Sequence, residues 1–241
     1  VVDRAVFIPS IAFLLSTVGI VLLFPDASGV AFATLQAAIV ENASWFYGIV
    51  MAILLIASIV LAFSRVGTIR LGSDNSSPDY SLFSWLSMLF AAGVGIGLMF
   101  YGVSEPVVHY LRPPVGEGDV MGGENQAVNL TMLHWGFNAW SVYALMALVL
   151  AYFSFRRGLP LTLRSAFYPI LGDRIYGPWG AAIDVFAIVC TTFGISTSLG
   201  LGVEQLSTGL NYLFGVPESG SIKLAITVAI MAMAAVSVAL G

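Results

Sequence analysis

Charge is what this sequence has least of. Asp, Glu, Lys and Arg make up 9% of its 241 residues, while hydrophobic residues make up 59%. A water-soluble domain carries roughly 25% charged residues to clothe its core. With so few, the apolar excess must face lipid, and the mean hydropathy of +0.94 agrees. Cysteine is nearly missing too. Cys190 stands alone, which excludes an internal disulfide and suits a small packing residue within an apolar run. There are two histidines and no CxxC or HExxH spacing, so no metal cluster is expected. No Lys/Arg cluster could neutralise a run of phosphates, so nucleic acid is not an expected partner.

What is present is a series of long apolar runs. About 20 apolar residues cross a hydrocarbon core roughly 30 Å thick. Five runs fit and a sixth begins, at about Ala5–Phe24, Trp45–Phe63, Phe83–Val103, Met132–Phe155, Ala181–Gly202 and Ile222–Leu240. The last is cut short at Gly241, and the sequence reads as truncated at both ends. The first is read as a span and not a signal peptide, because no small-x-small cleavage site follows it. These runs are too long and continuous for barrel strands, so the expected fold class is an all-α polytopic membrane protein.

Cations set the expected orientation. Arg4, Arg65, Arg70, Arg156, Arg157, Arg164 and Arg174 fall on one set of connections. The alternate set has only Arg112 and Lys223, against Asp26, Glu41, Glu105, Glu117, Asp119, Glu124, Glu204 and Glu218. By the positive-inside rule the N-terminus is cytoplasmic. The segment from Gly158 to Pro178 is amphiphilic and long enough for a short helix along the inner interface.

Two spans carry unusual chemistry. The third reads Ala91-Ala92-Gly93-Val94-Gly95-Ile96-Gly97 near its middle. Alternating glycines lower the cost of non-helical backbone, and an interrupted helix frees N–H groups for a carboxylate and carbonyls for a cation. Gly93 and Gly97 are equally a small-xxx-small packing motif. The fourth span places Trp135, Trp140 and Tyr143 within nine residues. Trp140 and Tyr143 share a face, with Trp135 about 140° round an ideal helix. Aromatic faces hold a cation that has no N–H to donate, although Trp and Tyr also gather in interfacial belts. No nucleophile and base, nor any metal set, lies within the spans, so an enzyme is not expected. A channel with filter rings shared between subunits stays open as a remote alternative.

Together these stretches resemble the betaine/choline/carnitine transporter family. The third-span glycines with Tyr101, Gly102, Glu105 and Pro106, the fourth-span aromatics, and Thr192 to Gly200 carry the likeness. So do Gly67 to Gly72 and Arg157 to Pro160. The resemblance implies a fragment of a leucine-transporter-like fold. Residues 1–66 would be two helices outside the core, 67–81 a cytoplasmic loop, and 82–241 the first part of inverted repeat one.

It also implies roles. Trp135, Trp140 and Tyr143 would form one side of a cage for a quaternary ammonium. Gly93, Gly95, Ile96 and Gly97 would be an unwound stretch beside the substrate, with the backbone carbonyls of Ala91 and Val94 serving a sodium ion. Thr191 matches one ligand of a second sodium, but its partner position is Ile195, which has no oxygen to give. Proton-coupled choline carriers tend to place Asp where this chain has Gly97, which favours a zwitterion such as glycine betaine. The resemblance further implies a homotrimer in the cell membrane among lipids, with sodium as coupling ion and no other cofactor. A proton-coupled choline carrier and an ion-independent exchanger are the alternatives.

Overall fold

The computed structural model describes residues 3–116 and 122–240, with backbone alone for residues 91–96. Every regular element among the described residues is helical. Five helices are long and apolar enough to cross a membrane: α1 (Arg4–Leu23), α2 (Pro25–Phe63), the run Gly123–Arg156, α8 (Pro178–Phe214) and α9 (Gly220–Leu240). They cover each expected span except the third, which is divided into α3 (Leu82–Gly93), a π-helical stretch (Val94–Tyr101) and α4 (Gly102–Leu111). The run Gly123–Arg156 is itself divided into α5 (Gly123–Trp135), α6 (Phe137–Ala151) and a π-helical end, Tyr152–Arg156.

Several helices overrun the lengths that hydropathy assigns. α2 has 39 residues, about 58 Å at 1.5 Å per residue, nearly twice a hydrocarbon core. It begins at Pro25 and not near Trp45 because the intervening stretch is rich in Ala, the strongest helix former. Phe24 separates it from α1 with φ −134° and ψ 62°. A residue before proline is pushed out of the α region, so α1 stops there and α2 starts with Pro at its first position.

The chain forms two compact units that are not contiguous in sequence: Val1–Pro78 with Asn129–Cys190, and Asp79–Val128 with Thr191–Gly241. In the first unit, α6 packs along α2 and α1 touches α2. The stretch from Gly158 to Pro178 is not one interfacial helix. It folds as two 3-10 turns (Leu163–Phe167 and Gly172–Tyr176) flanking the short α7 (Tyr168–Leu171). Gly172, with φ +54°, and Pro169 and Pro178 prevent a longer run.

Arg164 in this stretch is a hub. Its Nε donates to Asp184 Oδ2 at 2.6 Å and its backbone N–H to Asp184 Oδ1 at 3.1 Å. Its Nη2 reaches Asp3 Oδ2 at 3.3 Å, while Asp3 Oδ1 caps α1 by accepting from the Ala5 N–H at 3.0 Å. Asp184 is buried and sits in the second turn of α8, beyond the reach of the helix N-terminus, so its charge is met by the Arg164 guanidinium. Ile175 is fully buried beside this hub. A Cβ at Gly180 would fall 1.7 Å from the Ile175 carbonyl oxygen, so only glycine lets the start of α8 approach this closely.

In the second unit α8 and α9 are tied by exposed polar contacts. Lys223 Nζ bonds Glu204 Oε2 at 2.5 Å, joining α9 to α8. Thr208 Oγ1 donates to Glu218 at 3.3 Å. The Asn211 amide donates to the Val216 carbonyl at 2.9 Å, closing the turn in which Gly215 takes φ +68°.

Candidate functional site

The glycine motif of the third span, in the second unit, is not the unwound stretch that the sequence suggests. Gly93 ends α3, and Gly95, Ile96 and Gly97 lie in the π-helical stretch that follows. The backbone stays helical but widens, pairing each carbonyl with an N–H five residues on. Lipid offers no water to a freed peptide group, so a change of winding keeps most groups paired where an open break would not. The side chains at Ala91, Val94 and Ile96, which the resemblance places near sodium and substrate, lie outside the described residues.

At the far end of this stretch, where π winding returns to α, carbonyls are taken up by side chains. Ser104 Oγ donates to the Phe100 carbonyl at 3.0 Å. Gln205 Nε2, from α8, donates to the Met99 carbonyl at 3.1 Å. One turn further on, Glu105 is buried and its Oε1 lies 3.2 Å from His109 Nε2. Pro106 is inside α4, which removes one more helical N–H.

The aromatic residues belong to the first unit. Trp140 and Tyr143, on α6, stand together with ring centroids 5.4 Å apart and planes tilted by 40°. The i, i+3 spacing read from the sequence therefore does bring them side by side. Trp140 is 45% exposed and Tyr143 67%. Trp135 is the last residue of α5, and its indole lies 5.0 Å from the His134 ring. An angle of 140° between Trp135 and Trp140 presumes an unbroken helix, and the helix is broken at Gly136. A lone glycine amid aromatic residues weakens a helix, which is the one trace of the break in the sequence.

On α8, Thr191 is exposed. Ser196 Oγ donates to the Thr192 carbonyl at 2.8 Å and Thr197 Oγ1 to the Phe193 carbonyl at 3.0 Å. Those two hydroxyls therefore bond back to their own helix. No group of three His, Cys, Asp or Glu residues suited to a metal occurs among the described residues. A groove of about 900 Å³ opens beside Asp3, Pro9, Phe13, Arg164 and Tyr176 in the first unit. None of Trp135, Trp140 and Tyr143 lines it, so the aromatic set is a separate feature.

Comparison with known proteins identifies the family. A family model described as BCCT, betaine/carnitine/choline family transporter, matches residues 5–241. A glycine betaine transporter of Acinetobacter baylyi is 47% identical over 240 residues, covering 100% of this chain and 36% of that protein. A high-affinity choline transport protein of Escherichia coli is 41% identical over 240 residues, again 100% of this chain and 36% of the relative. A glycine betaine/proline/choline transporter of Vibrio parahaemolyticus is 44% identical over 229 residues, 87% of this chain and 41% of that protein. The chain thus spans well under half the length of these curated relatives. With its multi-pass helices and a match along nearly its whole length, the chain belongs to the betaine/carnitine/choline transporter family.

Proposed function

We propose that the complete protein is a sodium-coupled symporter for a quaternary-ammonium solute, with glycine betaine as preferred substrate. The observation that carries this reading is the Trp140–Tyr143 pair, two adjoining π faces on a membrane helix. A trimethylammonium group has no N–H to donate, and such faces attract it through their quadrupoles. Trp135 extends the same side of the cage. The π winding over Gly95, Ile96 and Gly97 supports the second half of the reading. A π-helical stretch within a span often marks a functional site, and opening its winding on binding would hand its peptide groups to substrate and ion. Here Gly93, Gly95, Ile96 and Gly97 serve the substrate carboxylate, and the Ala91 and Val94 carbonyls serve sodium.

The relatives are named for betaine and for choline, and Gly97 tilts the reading toward the zwitterion because no carboxylate stands there to balance a bare cation. Thr191 serves as a partial ligand for a second sodium. The N-terminus faces the cytoplasm, and the protein works as a homotrimer in the cell membrane. Transport proceeds by alternating access around a site near the midplane.

Uptake of labelled glycine betaine by proteoliposomes bearing the complete protein tests this directly. Replacing sodium by potassium at fixed pH is expected to abolish uptake, with choline competing only weakly. Uptake that ignores sodium but collapses with the proton gradient establishes the proton-coupled alternative, and uptake needing neither establishes an exchanger. Trp140→Ala is expected to weaken betaine binding by about 0.5–2 kcal/mol. Unchanged affinity returns that ring to a packing role.

A further inference from the structure

The fourth span is interrupted at one residue, and the interruption is braced by side chains. Gly136 has φ −81° and ψ −144°, far from helical ψ, and separates α5 from α6. Its N–H still donates to the Met132 carbonyl at 2.8 Å. A Cβ on Gly136 would lie 2.4 Å from that same oxygen, so the bend requires glycine. The next carbonyl, that of Leu133, would pair with the Phe137 N–H in an unbroken helix. Here the Asn138 side chain donates to it through Nδ2 at 2.9 Å. The carbonyl of Asn138 in turn accepts from Ser141 Oγ at 2.7 Å. Ser141 is buried, and Ser58 Oγ on α2 lies 3.5 Å from its carbonyl oxygen.

This chain of polar contacts runs between the two aromatic groups. Trp135 with His134 lies before the bend, and Trp140 with Tyr143 lies after it. We infer that Asn138 is a positioning residue: by replacing the missing helical N–H at Leu133 it fixes the angle between α5 and α6, and so where Trp135 stands relative to the Trp140–Tyr143 pair. Asn138 does not touch the substrate in this account. Within lipid the Leu133 carbonyl has no water to turn to, so losing the amide donor leaves the bend without its brace. The consequence for affinity rests on the proposed aromatic cage, whereas the consequence for ring placement does not.

The test uses the complete protein labelled with 5-fluorotryptophan, its Trp135 and Trp140 resonances assigned by single Trp→Phe replacements. Asn138→Leu is expected to move both resonances and to raise the KM for glycine betaine about tenfold, the scale of one carbonyl stripped of its donor. Vmax is expected to stay within about twofold, because the lost interaction positions the binding rings and not the transport step. Asn138→His, whose ring Nδ1–H can take the place of the amide N–H, is expected to restore both readouts. Asn138→Asp keeps the shape without the donor and is expected to behave as Asn138→Leu, which covers the case in which the leucine variant does not fold. Resonances at their parent positions in Asn138→Asp overturn the inference, as does a parent KM in a protein that transports betaine. Failure of Asn138→His to restore the resonances overturns it too. If the parent protein takes up no betaine, the functional reading falls and the fluorine resonances alone decide the role of Asn138.

Discussion

The two compact units each contain a membrane helix that departs from α geometry, and they do so in opposite ways. In the first, the fourth span breaks at a single glycine, and Asn138 and Ser141 cover the exposed peptide groups. In the second, the third span spreads its departure over the eight residues Val94–Tyr101 by widening the winding, and Ser104 and Gln205 donate to carbonyls at its end. A sharp break concentrates its unpaired groups and demands local side-chain partners. A wide helix distributes the change and demands few. The ion pairs at the two ends of α8 differ in burial too. The first unit ties its elements with the half-hidden Arg164 and buried Asp184, whose side chains are 12% and 8% exposed. The second uses Lys223 and Glu204, at 30% and 55%.

The contrast predicts that point changes hurt the first unit far more. The largest effect is expected at Arg164. Arg164→Met leaves Asp184 buried without its cation, and removing one partner of a buried pair costs roughly 3–5 kcal/mol. Asp3 loses a partner too, but at 51% exposure it regains water. Thermal unfolding of the complete protein in detergent, followed by loss of its monodisperse size-exclusion peak, measures this. A shift no larger than that of a surface variant would remove Arg164 as the anchor of α1 and α8.

Next comes a pair of glycines. Gly136→Ala places a Cβ within 2.4 Å of a backbone oxygen that has no room to retreat. It is expected to cost about 2–4 kcal/mol, in the range of overpacking and backbone strain. Gly102→Ala, directly after the wide stretch, meets nothing nearer than the Leu98 side chain at 3.5 Å, an ordinary contact. It is expected to change stability by less than about 0.5 kcal/mol, and helix propensity even favours it. Equal losses in the two variants would show that the sharp and the wide departures are equally intolerant.

This difference also explains what was legible in the sequence. Hydropathy and length placed the membrane helices, because a run of apolar residues needs no partner to announce itself. The helix ends were not legible: polar, Ala-rich stretches such as that between Pro25 and Trp45 are helical by propensity and silent in hydropathy. Three alternating glycines marked the third span as irregular, but not that it would widen instead of opening, since that depends on keeping peptide groups paired in lipid. Gly136 was harder to see. Its role comes from Asn138, two residues on, reaching back to Leu133, and such a cap has no signature beyond a polar residue near a glycine. Asp3 as a helix cap was readable from its place just before the first apolar run. Its bond to Arg164, 161 positions away, was not. Trp140 and Tyr143 stand as their spacing indicates, because nothing interrupts α6 between them.

A smaller effect is expected where α8 meets the wide helix. Gln205→Leu preserves most of the side chain's bulk and removes the donor to the Met99 carbonyl. The expected cost is about 1–2 kcal/mol, less than at Gly136 because only one of the carbonyls in a distributed departure is affected. Hydrogen exchange of the amides from Leu98 to Ser104 reads the result locally: faster exchange confined to that segment supports the picture, and unchanged exchange means that the widened winding needs no help from α8.

The smallest effect is expected at Lys223. Its bond to Glu204 is short at 2.5 Å, but both partners reach solvent, and exposed pairs of this kind contribute about 0–1 kcal/mol after the ordering of two long side chains. Lys223→Met should therefore barely move the thermal midpoint at ordinary ionic strength, and raising the salt should shrink whatever difference remains, since both partners are open to solvent and its ions. Arg164→Met should keep its deficit in the same salt series, because the carboxylate left behind is buried and salt cannot reach it. Matching salt responses would mean that burial does not separate the two ion pairs, and the contrast between the units would then rest on their backbones alone.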